Sequence, residues 1–326
     1  MELPDLLNEL ERLGAELHAQ KDNLVVRGRN GALPTAVREA LVQHKAALLR
    51  RLSPPRPVAR EGPMALSFAQ QRLWFLDQLG SGIAYNLSIA LRFEGRLDVP
   101  ALEAALGEIV RRHEALRTTF PAQDGRAVQV VSPPFPISLP VLDLTGLETA
   151  ALEEARRLGA EEALRPFDLA KDPLLRGRIY RLRDDEHVLA LTIHHIVFDG
   201  WSIGIFNREL AALYSDFLAG RPASLPELPV QYADFAHWEQ QWLQHEALES
   251  QLAYWKQQLD GSVSALALPI DRPGSQGQTC RGARQSWLLP QNLTEAIKAL
   301  GQQEGSTLFM TLLAAFQTLL YGYTAQ

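Results

Sequence analysis

The sequence predicts a mixed α/β (α+β) chain, and three observations carry the prediction. Leu87, Ile89, Leu91 and Phe93 alternate with Ser88, Ala90, Arg92 and Glu94, the period of a half-buried strand. Leu174 to Leu182 and His187 to His195 read as two further strands joined by the polar link Arg183-Asp184-Asp185-Glu186. Between such runs lie stretches with apolar residues at helical spacing, such as Phe206, Leu210, Leu213 and Phe217. With 326 residues, 46% hydrophobic and 21% charged, the chain has room for about two packed domains.

Composition narrows the classes. Net charge is −6, and no basic block marks a nucleic-acid face. Cys280 is the single cysteine, so no internal disulfide is available, a zinc site would need mostly other ligands, and no metal site is expected. Met1-Glu2-Leu3-Pro4-Asp5 lacks the basic region and apolar core of a signal peptide, and Thr311 to Leu320 is too short for a span. The expectation is a soluble cytoplasmic protein without nucleic-acid or membrane partners.

The first 52 residues read as a separate small unit. Leu3, Leu6, Leu7, Leu10 and Leu13 form a helical stripe that Gly14 stops. Glu16 to Gln20 and Asn23 to Arg27 form a hairpin through Lys21-Asp22, with Leu24 and Val26 on one face and Val25 and Arg27 on the other. Pro34 and Thr35 open a last helix striped by Val37, Leu41, Leu48 and Leu52. So small a core is marginal and is expected to lean on a partner or a second copy, as in a homodimer. An exposed hairpin also accepts a third strand from a peptide, and Arg27 and Arg29 would favour an acidic one. Edge charges that merely solubilise the hairpin are the plainer alternative. Residues 53–63, beginning Ser53-Pro54-Pro55-Arg56-Pro57, form a proline-rich linker and a domain boundary.

Beyond it, Ser67 caps a helix through Leu76, and Asp98 caps another whose inner face is Leu102, Leu106, Ile109 and His113. Val128 to Val131 reads as a strand and Ala150 to Leu164 as a helix broken at Pro166-Phe167-Asp168. His194-His195-Ile196-Val197-Phe198-Asp199-Gly200 closes the last strand, and Ser202 is expected to cap a helix through Leu218. A helix from Tyr232 to Leu259, a strand from Gln285 to Leu289, and helices at Leu293 to Leu300 and Leu308 to Leu320 complete the chain. Residues 64–245 and 246–326 are expected as two successive parts.

The histidine stretch is the candidate site. An imidazole at a strand end beside a helix start is placed to act as a general base or orienting group. A satisfied histidine pair beside a surface Asp-Gly turn is the plain alternative.

Four motifs occur in order: Ser67-Phe68-Ala69-Gln70-Gln71-Arg72-Leu73-Trp74, Arg112-His113-Glu114-Ala115-Leu116-Arg117-Thr118-Thr119-Phe120, His194 to Ser202, and Tyr232-Ala233-Asp234-Phe235-Ala236-His237-Trp238. Together they resemble the condensation domain of nonribosomal peptide synthetases; Pro166-Phe167-Asp168-Leu169 and Leu174-Leu175-Arg176 fit the same family. Leu6 through Leu52 resembles the tubulysin-synthetase type of N-terminal docking domain. The resemblance implies a two-lobed fold like that of chloramphenicol acetyltransferase, its second lobe incomplete, preceded by a small ααββα-like docking domain. It further implies a channel where donor and acceptor carrier proteins deliver thioesters on phosphopantetheine arms, with no cofactor bound by this chain itself.

By the same resemblance His195 faces that channel, Gly200 is small at its wall with an N–H near an oxyanion, and His194 is structural. Asp199 is expected to pair with Arg117, with Arg112 as second choice. Leu24, Val25, Val26, Arg27 and Arg29 are implied to take the C-terminal tail of an upstream subunit. Trp74, Trp201, Tyr232 and Trp238 are expected mostly in the core, as large aromatics usually are. The retained histidine pair departs from heterocyclisation domains, and the first motif resembles the class joining an L-configured donor to an L-acceptor. The family's later second-lobe motifs, a carrier motif and an adenylation segment are absent from these residues, so a fragment of a longer subunit is expected. A docking or scaffold module without chemistry, and a coenzyme A-dependent acyltransferase, are the competing readings.

Overall fold

The computed structural model describes all residues except 2, 21–22, 29–32, 244–245, 262–265 and 270–284; Lys21-Asp22, Arg29 and Cys280 lie outside the described residues. Two compact units emerge, Met1–Leu252 and Ala253–Gln326.

The N-terminal segment runs helix α1 (Leu3–Arg12), hairpin strands β1 (Ala15–Gln20) and β2 (Asn23–Gly28), then helices α2 (Thr35–Gln43) and α3 (Lys45–Leu52). The order is therefore αββαα, a correction to the ααββα-like expectation. The single last helix is split at His44, whose backbone (φ −95°, ψ 11°) ends α2 and starts α3. Gly14 sits at φ +64°, the left-handed turn that ends α1 and that glycine adopts without strain. In the hairpin Leu17 pairs with Val26 and Ala19 with Leu24, which puts Leu17, Leu24 and Val26 against a core of Leu3, Leu6, Leu10, Val37, Leu41 and Leu48.

The proline-rich linker is anchored at its far end. The Val58 N–H donates to Asp234, and Arg60 forms ion pairs with Asp234 (2.7 Å) and Glu114 (2.7 Å). Asp234 is 1% exposed. Burial alone would raise its pKa, but Arg60 and the Gln231 and Val58 N–H groups hold it below the ordinary value.

There follow β3 (Met64–Ala65), α4 (Phe68–Leu76), β4 (Asn86–Glu94), α5 (Val99–Arg112), β5 (Thr118–Thr119), β6 (Ala122–Gln123), β7 (Arg126–Val131), β8 (Val141–Asp143), α6 (Ala151–Ala163), β9 (Leu175–Arg183), β10 (Glu186–His194), α7 (Gly200–Leu218), α8 (Tyr232–Trp242) and α9 (Glu246–Leu259). Ser67 caps α4 as expected, accepting from the Gln70 N–H while the Gln70 side chain accepts from Ser67 N–H. The main sheet has the order β4-β10-β9-β8, antiparallel except for the β8–β9 pair. The alternation of β4 and β10 sends Ile89, Leu189, Leu191 and Ile193 to one face. There they meet Leu102, Leu106 and Ile109 of α5 and Phe206, Leu210 and Leu213 of α7. On the other face Ala151 and Ala155 of α6 pack with Tyr180, Leu182 and Val188. A second small sheet places β7 between β3 and β5, with β6 also on β7.

Two further expectations are corrected. The helix from Tyr232 breaks at Leu243 (φ −88°, ψ 59°), so α8 and α9 are separate. Residues 285–290 form no strand, and Trp287 and Leu288 stand in the open (81% and 97% exposed). The second unit carries α10 (Gln291–Gln303) and α11 (Leu308–Thr324), with Phe309, Phe316 and Leu319 exposed along α11. Among the described residues no single helix is long and apolar enough to cross a membrane.

Candidate active site

The site is made by the end of β10 and the start of α7. His194 is the last residue of the strand, and its N–H donates to the Leu174 carbonyl of the adjoining chain segment (3.0 Å). The His195 N–H donates to the Tyr85 carbonyl just ahead of β4 (2.8 Å). A tight turn through Phe198 then feeds α7, and Phe198 plugs the core with its ring edge-on to Phe206.

The two imidazoles take opposite roles because their neighbours are opposite. His195 Nδ1 lies 2.8 Å from the Phe198 carbonyl, which only accepts, so Nδ1 carries the proton and Nε2 holds the lone pair. That Nε2 has no partner among the described residues. His194 Nδ1 instead accepts from the Ile196 N–H (3.1 Å), so its proton is on Nε2, which is buried without a partner among the described residues. At 1% exposure, between the rings of Tyr85 and Phe167, His194 is held neutral. Burial, aided by its neighbour His195, pushes its pKa down to about 4.

Among the described residues Asp199 pairs with no arginine. Its carboxylate accepts from the Ser202 N–H (2.8 Å) and the Ser202 hydroxyl (2.6 Å), while Ser202 Oγ accepts from the Asp199 N–H (3.3 Å). This reciprocal box makes Asp199, not Ser202, the cap of α7. The Ser202 hydroxyl holds the Asp199 pKa below the ordinary value. The exposed carboxylate thus has partners within its own turn.

Both candidate arginines are engaged elsewhere. Arg117 donates to the Ser132 carbonyl and lies 3.7 Å from Glu114. Arg112, buried, donates to the Pro226 carbonyl (2.9 Å) and faces Glu209, whose other oxygen holds His113 at 2.7 Å. Gly200 begins α7 in the open, and a methyl group built on it would meet nothing within 4 Å. Trp201 beside it is 84% exposed, against the expectation of a core residue. Trp74 donates its indole N–H to the Phe120 carbonyl and packs on the core, Trp238 is half-buried with its ring stacked on Trp242, and Tyr232, half open, bonds Ser67 Oγ (3.0 Å). Below the turn a cavity of about 160 Å³ is lined by Val197, Phe198, Ser202, Leu116, His113 and Tyr232, among others.

The structure therefore brings His194, His195, Asp199 and Gly200 together and leaves Arg112 and Arg117 out. Sequence reading missed the Tyr85 and Phe198 carbonyls that fix His195, because backbone acceptors carry no residue-type signal. In the docking segment half-buried Leu24 and Val26 pack against the small core, while exposed Arg27 and half-buried Val25 lie on the other face.

A histidine pair thus closes a strand of the α/β sheet, with one lone pair free among the described residues and a capped helix beginning beside it. The chain belongs to the condensation domain family: the family's model matches residues 60–326, and that of the TubC N-terminal docking domain matches residues 4–53. It is 47% identical over 276 residues to the chondramide synthase cmdD of Chondromyces crocatus, covering 84% of this chain and 7% of that protein. It is 45% identical over 274 residues to the phosphinothricin tripeptide synthetase PhsC of Streptomyces viridochromogenes, covering 83% of this chain and 25% of that protein. The chain thus spans a small fraction of the curated relatives it matches. Among solved structures it is similar to the X-domain from teicoplanin biosynthesis, with 31% identity and a TM-score of 0.70 over 83% of this chain and 60% of that one. It is also similar to the EpoB cyclization-docking bidomain from Sorangium cellulosum, with 26% identity and a TM-score of 0.64 over 99% of this chain and 65% of that one. The fold is accordingly the mixed α/β one of the condensation-type structures, as expected from the motifs.

Proposed function

We propose that this chain is the front end of a nonribosomal peptide synthetase subunit and serves the joining of a donor acyl or peptidyl thioester to an acceptor aminoacyl thioester. Both substrates would arrive on phosphopantetheine arms of carrier proteins, and the L-donor, L-acceptor class fits its motifs. The observation that carries the reading is the His195 Nε2 lone pair, aimed by the Nδ1–H bond to the Phe198 carbonyl.

In this reaction the acceptor nitrogen attacks the thioester carbonyl, the new C–N bond forms, and the C–S bond breaks. His195 Nε2 accepts a hydrogen bond or the proton from the attacking amine, and the proton ends on the leaving thiolate. A neutral amine and a thioester are already reactive, so alignment supplies much of the rate, roughly 7–11 kcal/mol at its best. The Gly200 N–H, at the unsatisfied start of α7, is a donor type that contributes about 3–4 kcal/mol when it meets an oxyanion. The experiment is His195→Ala in the longer synthetase. Loss of dipeptide formation with carrier loading intact is expected, and normal product formation would overturn the role of His195. Turnover of acyl-coenzyme A without any carrier protein would favour the competing acyltransferase reading.

The docking segment supports a partner as well. β1 and β2 form a two-stranded sheet, so β2 has an unpaired edge among the described residues, with Val25 and Arg27 on its outer face. An acidic C-terminal tail of an upstream synthetase protein, added as a third strand, fits that edge; Arg29 lies outside the described residues. Titrating the chain with acidic peptides tests it: binding weakened by Arg27→Glu is expected, and its absence would reject the docking role.

A further inference from the structure

Behind the histidine pair, Arg176 of β9 gathers the end of α6. Its guanidinium donates to the carbonyls of Arg165 (2.7 Å), Pro166 (3.1 Å) and Glu162 (3.4 Å), and its Nε lies 2.8 Å from the Glu162 carboxylate. These carbonyls belong to the last turn of α6 and the residues just after it, where no partner is supplied within the helix. Asn86, at the start of β4, does the same from the other side, donating to the carbonyls of Ala163 (2.8 Å) and Arg165 (2.9 Å). The register pairs Asn86 with His194, and Arg176 is one residue past Leu175, the partner of Ile193. Two polar side chains on the strands flanking β10 therefore clamp one helix end at the level where the histidines leave the sheet.

The clamp delivers a ring. Arg176 stands over Phe167, its guanidinium carbon 3.7 Å from the ring centroid, and Phe167 meets the His194 imidazole edge-on at 6.1 Å. Phe167 is buried, and His194 makes one side-chain hydrogen bond among the described residues, to Ile196 N–H. The orientation of His194 thus depends on the wall Phe167 builds, and Ile196 opens the turn that presents the Phe198 carbonyl to His195.

We propose that Arg176 is a positioning residue for the histidine pair: through Phe167 and the α6 terminus it fixes His194, and through the turn it fixes the His195 tautomer. The proposal rests on the condensation reading only for its effect on rate. A lysine would keep the charge but not the fork that serves three carbonyls at once.

The test is nitrogen NMR of the histidine-labelled chain, with His194 and His195 signals assigned by His194→Gln and His195→Gln. In the parent chain His195 is expected as the Nδ1–H form and His194 as the Nε2–H form. In Arg176→Met and Arg176→Lys the His195 signals should shift toward a tautomer mixture. Peptide-bond formation by the longer synthetase should fall at least tenfold with KM for the carrier-bound substrates unchanged. Should Arg176→Met fail to fold, Phe167→Leu, which keeps the apolar character and removes the ring, must give the same shift. Unchanged tautomers in both Arg176→Lys and Phe167→Leu would overturn the proposal whatever the activity. An active His195→Ala synthetase would instead remove the catalytic reading and leave the tautomer result standing.

Discussion

Removing the Asp199 carboxylate tests the structure where it departs most from the motif-based expectation. As the cap of the 19-residue helix α7, Asp199 accepts two hydrogen bonds from Ser202 and its N–H donates one back. Replacing a capping Asp by Ala costs roughly 1 kcal/mol, and the exposure of this one keeps the figure at that level. For a compact unit running from Met1 to Leu252 this is a fall in melting temperature of about 2–4 °C. Asp199→Asn, which still accepts from the Ser202 N–H, should lose only a few tenths of that. The folded pKa of Asp199 is depressed, so its contribution is present above the unfolded value of about 3.9 and is lost as pH falls through the lower folded value. The Asp199→Ala penalty, read by urea unfolding, should therefore hold from about pH 7 to pH 5 and shrink below about pH 4. A double-mutant cycle with Arg117→Ala should return coupling within about 0.5 kcal/mol of zero. Coupling above about 1 kcal/mol, or an Asp199→Ala chain as stable as the parent, would refute the capping assignment.

Three more outcomes are expected. His194 is buried neutral with its pKa at about 4, so the unfolded chain takes up a proton that the folded one refuses; stability should fall as pH drops from about 6.5 to 4, by on the order of 3 kcal/mol, and His194→Gln should flatten that part of the urea profile. Arg60→Ala strands the buried Asp234 carboxylate with only its backbone donors and should cost about 2–3 kcal/mol, while limited proteolysis should cut faster between residues 53 and 63. Gly200→Ala meets open space at the start of a helix, so stability in thermal unfolding should be unchanged or raised by about 0.4–1 kcal/mol while peptide-bond formation by the longer synthetase falls.

What the sequence disclosed was the part encoded in periodicity and adjacency. The alternation of β4 and β10, the Ser67 and Asp98 caps and the placement of the histidine pair between strand and helix are local patterns, and each appears in the structure. What stayed hidden depends on the third dimension. Arg112 finds Glu209 ninety-seven residues away, Arg60 finds Asp234 across 174, and no spacing rule reaches so far. The breaks at His44 and Leu243 interrupt stretches whose composition continues helical, because single backbone rotations end those helices without glycine or proline. Gln285 to Leu289 reads as a strand by composition, yet a strand exists only where a neighbour pairs with it. A distant cation was the expectation for Asp199, and its partners among the described residues lie three residues away in its own turn.

The anchoring of the linker has a mechanical consequence. Helix α3 ends at Leu52, and the chain is bonded down again at Val58. Between Ser53 and Val58 lie only Pro54-Pro55-Arg56-Pro57, three of them prolines, which in the extended proline-rich form reach roughly 12 Å. Such a segment acts as a strut more than a leash. A peptide held by the first fifty residues would be presented at a nearly constant radius from Val58, at an effective concentration in the millimolar range. Inserting a flexible Gly-Ser stretch there should leave peptide affinity untouched and weaken only the hand-over that depends on that radius.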